Sequence, residues 1–276
     1  MTASPVFRVY DRPILKKPVL IVGWIEDASR LSLRSADFLI HNLGCTEFAE
    51  ILPEGFFPLA GVNVEDDVAN FPESKFYVSK EHNLIVFKSN VPRTDWHQFL
   101  KALLEVGHEK CGAEELYTMG TMISYAAHTM PRVLISIVNH PDMKAELEPY
   151  NVMSNTDFDT PAGQKPTLSS YLSWVAGQEG VKTANLWVPI PFYLVTQEDP
   201  RACKRLLYFF NSRHNLGLDL RPLDDEVAEQ NNKIAGLFKK SPQIEALVRR
   251  LEVGEPLESE DAEKLAGEMA EALRKK

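Results

Sequence analysis

The stretch Pro18-Val-Leu-Ile-Val-Gly-Trp-Ile-Glu-Asp27 decides how the rest of the chain is read. From Pro18 to Trp24 it is continuously apolar, without alternation, which is the pattern of a central strand covered on both faces. A helical stripe follows, with Ala36, Leu39, Ile40 and Leu43 at i, i+3, i+4 and i+7, and Gly44 is placed to stop that helix. A buried strand feeding an amphipathic helix predicts an α/β fold with a mainly parallel sheet.

The alternation continues outward. Residues 47–51, 76–79 and 84–88 read as strands, the last two forming a hairpin across Glu81-His82-Asn83. Thr94 is placed to cap a helix that presents Phe99, Leu100, Leu103 and Leu104 and runs to about Lys110, before Gly112. Residues 115–119 and 132–138 read as strands, and 142–167 as mostly loop with short helical pieces. Then come a helix over 168–178 and another buried strand over 183–188. Asp199-Pro200 joins a capping side chain to proline at the first helical position. From Leu223 the strand pattern stops. Three helical stretches follow, over 224–240, 242–252 and 260–275, the last capped by Ser259. The chain therefore divides into an α/β domain, 1–222, and a helical extension, 223–276, packed on or projecting from the body. The extension holds 13 acidic and nine basic residues, a net of −4.

Composition narrows the function. The 276 residues include 30 Lys+Arg and 39 Asp+Glu, a formal charge of −9. That balance disfavours nucleic acid and anionic membranes as partners, because both reward a basic face. No apolar run is long enough to span a bilayer, and the first residues lack the basic start and apolar stretch of a secretory signal. Cys45, Cys111 and Cys203 are odd in number, scattered and without Cys-x-x-Cys, as expected of small buried residues in a reducing cytoplasm.

Signatures of chemistry are missing from the sequence. The first strand ends in Gly23-Trp24-Ile25-Glu26-Asp27, which offers bulk and negative charge where a dinucleotide site needs glycines and free amides. Neither Ser29 nor Ser124 lies in a Gly-x-Ser-x-Gly elbow. His108-Glu109 and His140-Pro141-Asp142 do not set two ligands on one side of a helix. No catalytic residue, metal or cofactor is assigned.

Three segments together resemble the PAC2 family, the proteasome assembly chaperone 2-like proteins. The first is Gly23-Trp24-Ile25-Glu26-Asp27-Ala28. The second is Leu116-Tyr-Thr-Met-Gly120 followed by Ala127-His128-Thr129-Met130-Pro131-Arg132. The third is Trp187-Val-Pro-Ile-Pro-Phe-Tyr193 with Asp199-Pro200 and Leu216-Gly-Leu-Asp-Leu220. The resemblance covers about residues 5 to 240. It implies a three-layer α/β/α sandwich, phosphorylase- or hydrolase-like, with a helical C-terminal extension. It also implies a homo-oligomer, with a trimer favoured, and proteasome α-type subunits as partners where the organism has them. Two departures stand out. The chain reads Ala272-Leu-Arg-Lys-Lys276, without the penultimate tyrosine of chaperones that insert a tail into the α-ring. Ile190 and Pro191 stand where the family's Val-Pro-His-Tyr run has its histidine.

Open α/β sheets place sites beyond the carboxyl ends of their strands. That rule nominates Trp24, Glu26, Asp27, Asn90, Gly120, Thr121, His128, Arg132, Phe192 and Tyr193 as a candidate pocket or interface. Glu26 and Asp27 with His128 and Arg132 would form an acid/base or anion-binding set. The competing structural reading makes Trp24 a core or interface anchor and pairs Arg132 with Glu26. Two functions follow: a non-enzymatic, self-associating assembly chaperone or scaffold, and a small-molecule binder or enzyme with its site at the strand ends.

Overall fold

The computed structural model describes residues 6–58, 63–65, 67–154, 156–157 and 163–274. The strands are β1 (Phe7–Val9), β2 (Val19–Trp24), β3 (Thr46–Ile51), β4 (Asn63–Glu65), β5 (Val68–Asn70), β6 (Ser74–Ser79), β7 (Leu84–Ser89), β8 (Glu115–Ser124), β9 (Leu134–Val138), β10 (Val152–Met153) and β11 (Lys182–Pro191). The helices are α1 (Leu31–Asn42), α2 (Trp96–Leu104), α3 (Pro141–Leu147), α4 (Leu168–Gln178), α5 (Pro200–His214), α6 (Arg221–Lys240), α7 (Pro242–Glu252) and α8 (Ser259–Leu273). A π-helical turn, Glu105–Lys110, prolongs α2.

The fold is α/β with a large sheet, in the order β1-β3-β6-β7-β2-β8-β11-β9-β10; β4 and β5 make a separate antiparallel pair. The sheet is mixed. β2 runs parallel to β7 and β8, whereas β6 is antiparallel to both β7 and β3, and β3 is antiparallel to β1. The reason is the hairpin at 80–83. A short turn can only reverse the chain, so β6 runs against the parallel centre; β3, antiparallel to β6, runs with the centre again, and β1 against it.

Contacts gather the chain into two compact units that interleave along the sequence, whereas the boundary at residue 222 marks a change of sequence character. The first unit holds Met1–Glu26, Ser32–Met119 and Ser136–Leu186; the second holds Asp27–Leu31, Gly120–Ile135 and Trp187–Lys276.

In the first unit, β2 is covered on both faces. Leu20, Val22 and Trp24 alternate onto one face and join a core of Phe48, Phe76, Phe87, Phe99 and Leu172. Gly107, on the π-helical turn, lies so close to that face that a Cβ there would come within 2.7 Å of Leu20. Gly23 points the other way. A Cβ on it would meet Met119 at 3.0 Å and Ala36 of α1 at 3.2 Å, so glycine is what lets α1 lie against the strand. Helix, sheet and helix are thereby layered about β2.

In the second unit, α5 packs against α6, and α8 packs against α6, α7 and the 3₁₀ turn Phe192–Leu194. The helices bury narrow stripes: Ile244, Leu247, Val248 and Leu251 on α7, and Leu265, Met269 and Leu273 on α8.

Several local expectations shift. The cap of α2 is Asp95, not Thr94. The Thr94 hydroxyl is committed to the Gly55 carbonyl at 2.7 Å, while Asp95, left-handed at φ 47, accepts from the Gln98 amide at 3.4 Å. Glu258 rather than Ser259 occupies the cap position of α8 and makes no side-chain capping bond. Strands β8 and β11 run on to Ser124 and Pro191, beyond the apolar runs that mark them. The expected loop at 142–167 contains α3 and β10; its residues 155 and 158–162 lie outside the described residues, as do 275 and 276 at the end of the last predicted helix. No helix among the described residues is long and apolar enough to cross a membrane.

Candidate functional site

Three of the ten nominated residues belong to the first unit. Trp24 is buried at the end of β2. Its ring meets Phe87 edge-on at 6.1 Å, and its indole N–H donates to Ser169 Oγ on α4 at 3.0 Å. It is a core anchor with its polar atom satisfied. Just beyond it, the Glu26 carboxylate accepts from the Asn90 side-chain amide at 3.0 Å and from the Val91 backbone amide at 2.7 Å. Glu26 and Asn90 thus come together and tie the ends of β2 and β7 to each other.

The other seven belong to the second unit. Arg132 is buried and donates from Nε to Asp199 Oδ2 at 2.8 Å, with both side chains almost wholly out of solvent. Its Nη1 donates to the carbonyl of Met130 at 2.9 Å and of Ala127 at 3.4 Å, while the buried Nη2 has no acceptor. Asp199 works twice: its other oxygen accepts from the Ala202 amide at 2.9 Å and caps α5. The ion pair of Arg132 is therefore with Asp199, and the structural reading that gave it to Glu26 is corrected. The sequence shows Asp199 as a cap because that role is local. Its second role spans 67 residues and has no local signal.

His128 is also buried. Its backbone amide donates to the Tyr193 hydroxyl at 2.5 Å, and that hydroxyl lies 3.0 Å from His128 Nδ1. A hydroxyl already accepting from the amide is free to donate to Nδ1, which sets the imidazole as an acceptor there and favours its neutral form. Burial, reinforced by the cations of Arg132 and Arg201, pulls the His128 pKa down to about 4, against the smaller opposing pull of Glu252 and Asp199. Burial pushes the Tyr193 phenol well above its ordinary range. Neighbouring Thr129 donates to Glu252 at the end of α7 at 2.6 Å. Phe192 is half-buried; its ring meets Tyr193 edge-on at 5.2 Å and exposed Tyr125 at a tilt at 5.3 Å. Gly120 and Thr121 are half-buried along β8.

Asp27 leads into the 3₁₀ turn Ala28–Arg30, where Ser29 and Arg30 take positive φ of 60° and 52°. The turn is held in place by Ser29, whose amide donates to Val195 at 2.7 Å and whose hydroxyl donates to Gln197 at 2.5 Å. Ser29 is buried and committed, so it is a fastening rather than a nucleophile. Of the expected set of Glu26, Asp27, His128 and Arg132, Glu26 binds Asn90 and Val91, His128 binds Tyr193, and Arg132 binds Asp199. Among the described residues, no group of three or more His, Cys, Asp and Glu could hold a metal ion. Cys45, Cys111 and Cys203 form no disulfide, and Cys111 and Cys203 are buried.

The large mixed sheet with its helices defines an α/β protein, and known proteins share this fold. The PAC2 family model matches residues 20–237, and the chain belongs to the PAC2 family. No curated protein matches the sequence significantly. Among solved structures, a Mycobacterium tuberculosis protein of unknown function superposes with a TM-score of 0.76 at 19% identity, covering 99% of this chain and 98% of that one. A Corynebacterium glutamicum protein of unknown function gives 0.75 at 18%, over 90% and 95%. Pyrococcus furiosus PbaB, an archaeal proteasome activator, gives 0.69 at 21%, over 84% and 97%. At these identities the likeness is one of fold.

Proposed function

We propose that this protein is a non-enzymatic assembly chaperone or scaffold of the cytoplasm that self-associates, as a trimer by family resemblance, and binds other proteins. Proteasome α-type subunits are its partners where the organism encodes them. One observation carries the reading. Glu26 is bound to Asn90 and Val91, and Arg132 to Asp199, while the apolar residues Met122, Ile123 and Tyr125 of the second unit face solvent. A surface of that kind is suited to protein contact more than to acid/base work. PAC2 membership and the likeness to a proteasome activator agree with it. Affinity capture from a native lysate tests it: a stoichiometric protein partner is expected, and the recovery of none overturns the reading.

The unpartnered, buried Nη2 of Arg132 favours a second reading, a small-anion or amide binder. Stabilisation by millimolar phosphate, nucleoside or acyl amide in a thermal melt would support it, and an unmoved midpoint would remove it.

A further inference from the structure

The exposed apolar residues of the second unit are concentrated in one short segment. Met122, Ile123, Tyr125, Met130 and Val133 lie within twelve residues, and Ile123 and Tyr125 are 62% and 67% exposed. Met122 and Ile123 are consecutive in β8, so they point to opposite faces of the strand. Both are exposed, which means the end of β8 has outrun whatever covers its earlier residues. The register agrees: β2 accompanies β8 only as far as Gly23 opposite Met119, and β8 continues to Ser124. Tyr125 leans on Phe192 at 5.3 Å, which steadies one side of the projection. The segment is also held from within. His128 is locked to Tyr193, and Arg132 to Asp199, so the turn that carries Tyr125 and Met130 is fixed rather than loose.

The charge on this face identifies the occupant. From Gly120 to Pro131 the only side chain that titrates near neutrality is His128, which is buried and neutral. Arg132 is buried and paired. One carboxylate, Glu252, reaches the segment, and Thr129 holds it. The chain as a whole carries −9. With exposed Glu252 and the Arg201 cation as its nearby charges, of opposite sign, the face carries little net charge, and two copies that repel elsewhere can meet here. Counting only the face that carries Ile123 and Tyr125, and not Met122 on the other, the exposed apolar area is on the order of 400 Å² per copy, so a pairing would bury about 800 Å², the size of a small contact.

We propose that the projecting end of β8 and the turn after it, residues 120–133, form the surface through which one copy of this chain binds another. This rests on the self-association stated above and assigns it a place. The contact is apolar, so it withstands salt at about 1 M, where exposed ion pairs are screened.

The test is the mass in solution of the full chain and of two variants, by light scattering. The double variant I123E/Y125E is expected to run as a single chain with an unchanged far-ultraviolet spectrum, while W174S, which alters an exposed tryptophan of the first unit, keeps the parental mass. A double variant that keeps the parental mass overturns the surface and leaves self-association standing. A parental chain that is single at every concentration overturns both. Assembly lost in high salt, or I123E/Y125E abolishing capture of a different protein while its own mass holds, also overturns the assignment. Should I123E/Y125E misfold, amide exchange of the unaltered chain decides. Amides of 120–133 that exchange more slowly in concentrated than in dilute protein support the surface, and equal rates overturn it.

Discussion

The two units are held together by different physics. The first has an aromatic interior: Phe76 and Phe87 lie 4.4 Å apart, Phe99 meets Phe56 at 5.1 Å, and Trp24 closes the cluster. Its stabilisation is burial of apolar area, which is indifferent to pH. The second has apolar helix stripes but depends on a buried ion pair, Arg132 with Asp199, and a buried histidine, His128. Such groups contribute when matched and penalise heavily when one member is lost. The contrast leads to an expectation that the first region tolerates acid better than the second.

The sharpest way to break this contrast is to cut the ion pair. Asp199→Ala strands a buried guanidinium and uncaps α5, and is expected to cost about 3–5 kcal/mol in urea denaturation. A loss under about 1 kcal/mol would mean that Arg132 finds water and the pair is dispensable. Phe99→Ala in the first unit is expected to cost a similar amount, about 3–5 kcal/mol, through the cavity it leaves. Its cost should be the same at pH 7 and pH 5; a cost that shrinks in acid contradicts the division.

The next effect is the acid response itself. His128 has a folded pKa of about 4, below its ordinary value of 6.5. Between those values the unfolded chain binds the extra proton, so stability rises with pH. The contribution is complete above about 6.5 and disappears as pH falls towards 4, a swing of up to about 3 kcal/mol. His128→Gln should flatten the melting temperature against pH over that window relative to the unaltered chain. Identical slopes would relieve His128 of the role. A smaller effect belongs to the first unit: Trp24→Phe keeps a ring but loses the bond to Ser169, at an expected cost of about 1 kcal/mol by calorimetry. The smallest is at the surface. Glu245→Ala breaks an exposed i,i+4 pair with Arg249 and should move stability by less than about 0.5 kcal/mol.

The sequence reveals the elements whose causes are local. β2 is visible because both its faces are apolar, and α7 because Pro242 opens it and Gly254, at positive φ, follows its end. The hairpin of β6 and β7 is visible from its polar turn. The end of β8 is not, because Thr121 and Ser124 interrupt the apolar run around Met122 and Ile123. Trp24 and Asn90 lie at the strand ends that the apolar runs mark, whereas Gly120 and Thr121, read as following a strand, fall inside β8. The partners of Trp24 and Arg132 are not legible in the sequence: Ser169 lies 145 residues from Trp24, and Asp199 lies 67 from Arg132. Proximity of that kind is made by the fold, and no spacing in the chain encodes it.

The interleaving of the units has a consequence for biogenesis. Every segment of the first unit has been synthesised once Leu186 emerges, but the second still lacks Trp187–Lys276. During that interval Gly120–Ile135 waits without Tyr193, Asp199 and Glu252, the residues that later fasten His128, Arg132 and Thr129. The nascent chain at that point carries every segment of the first unit, while Gly120–Ile135 has yet to meet the residues that fasten it.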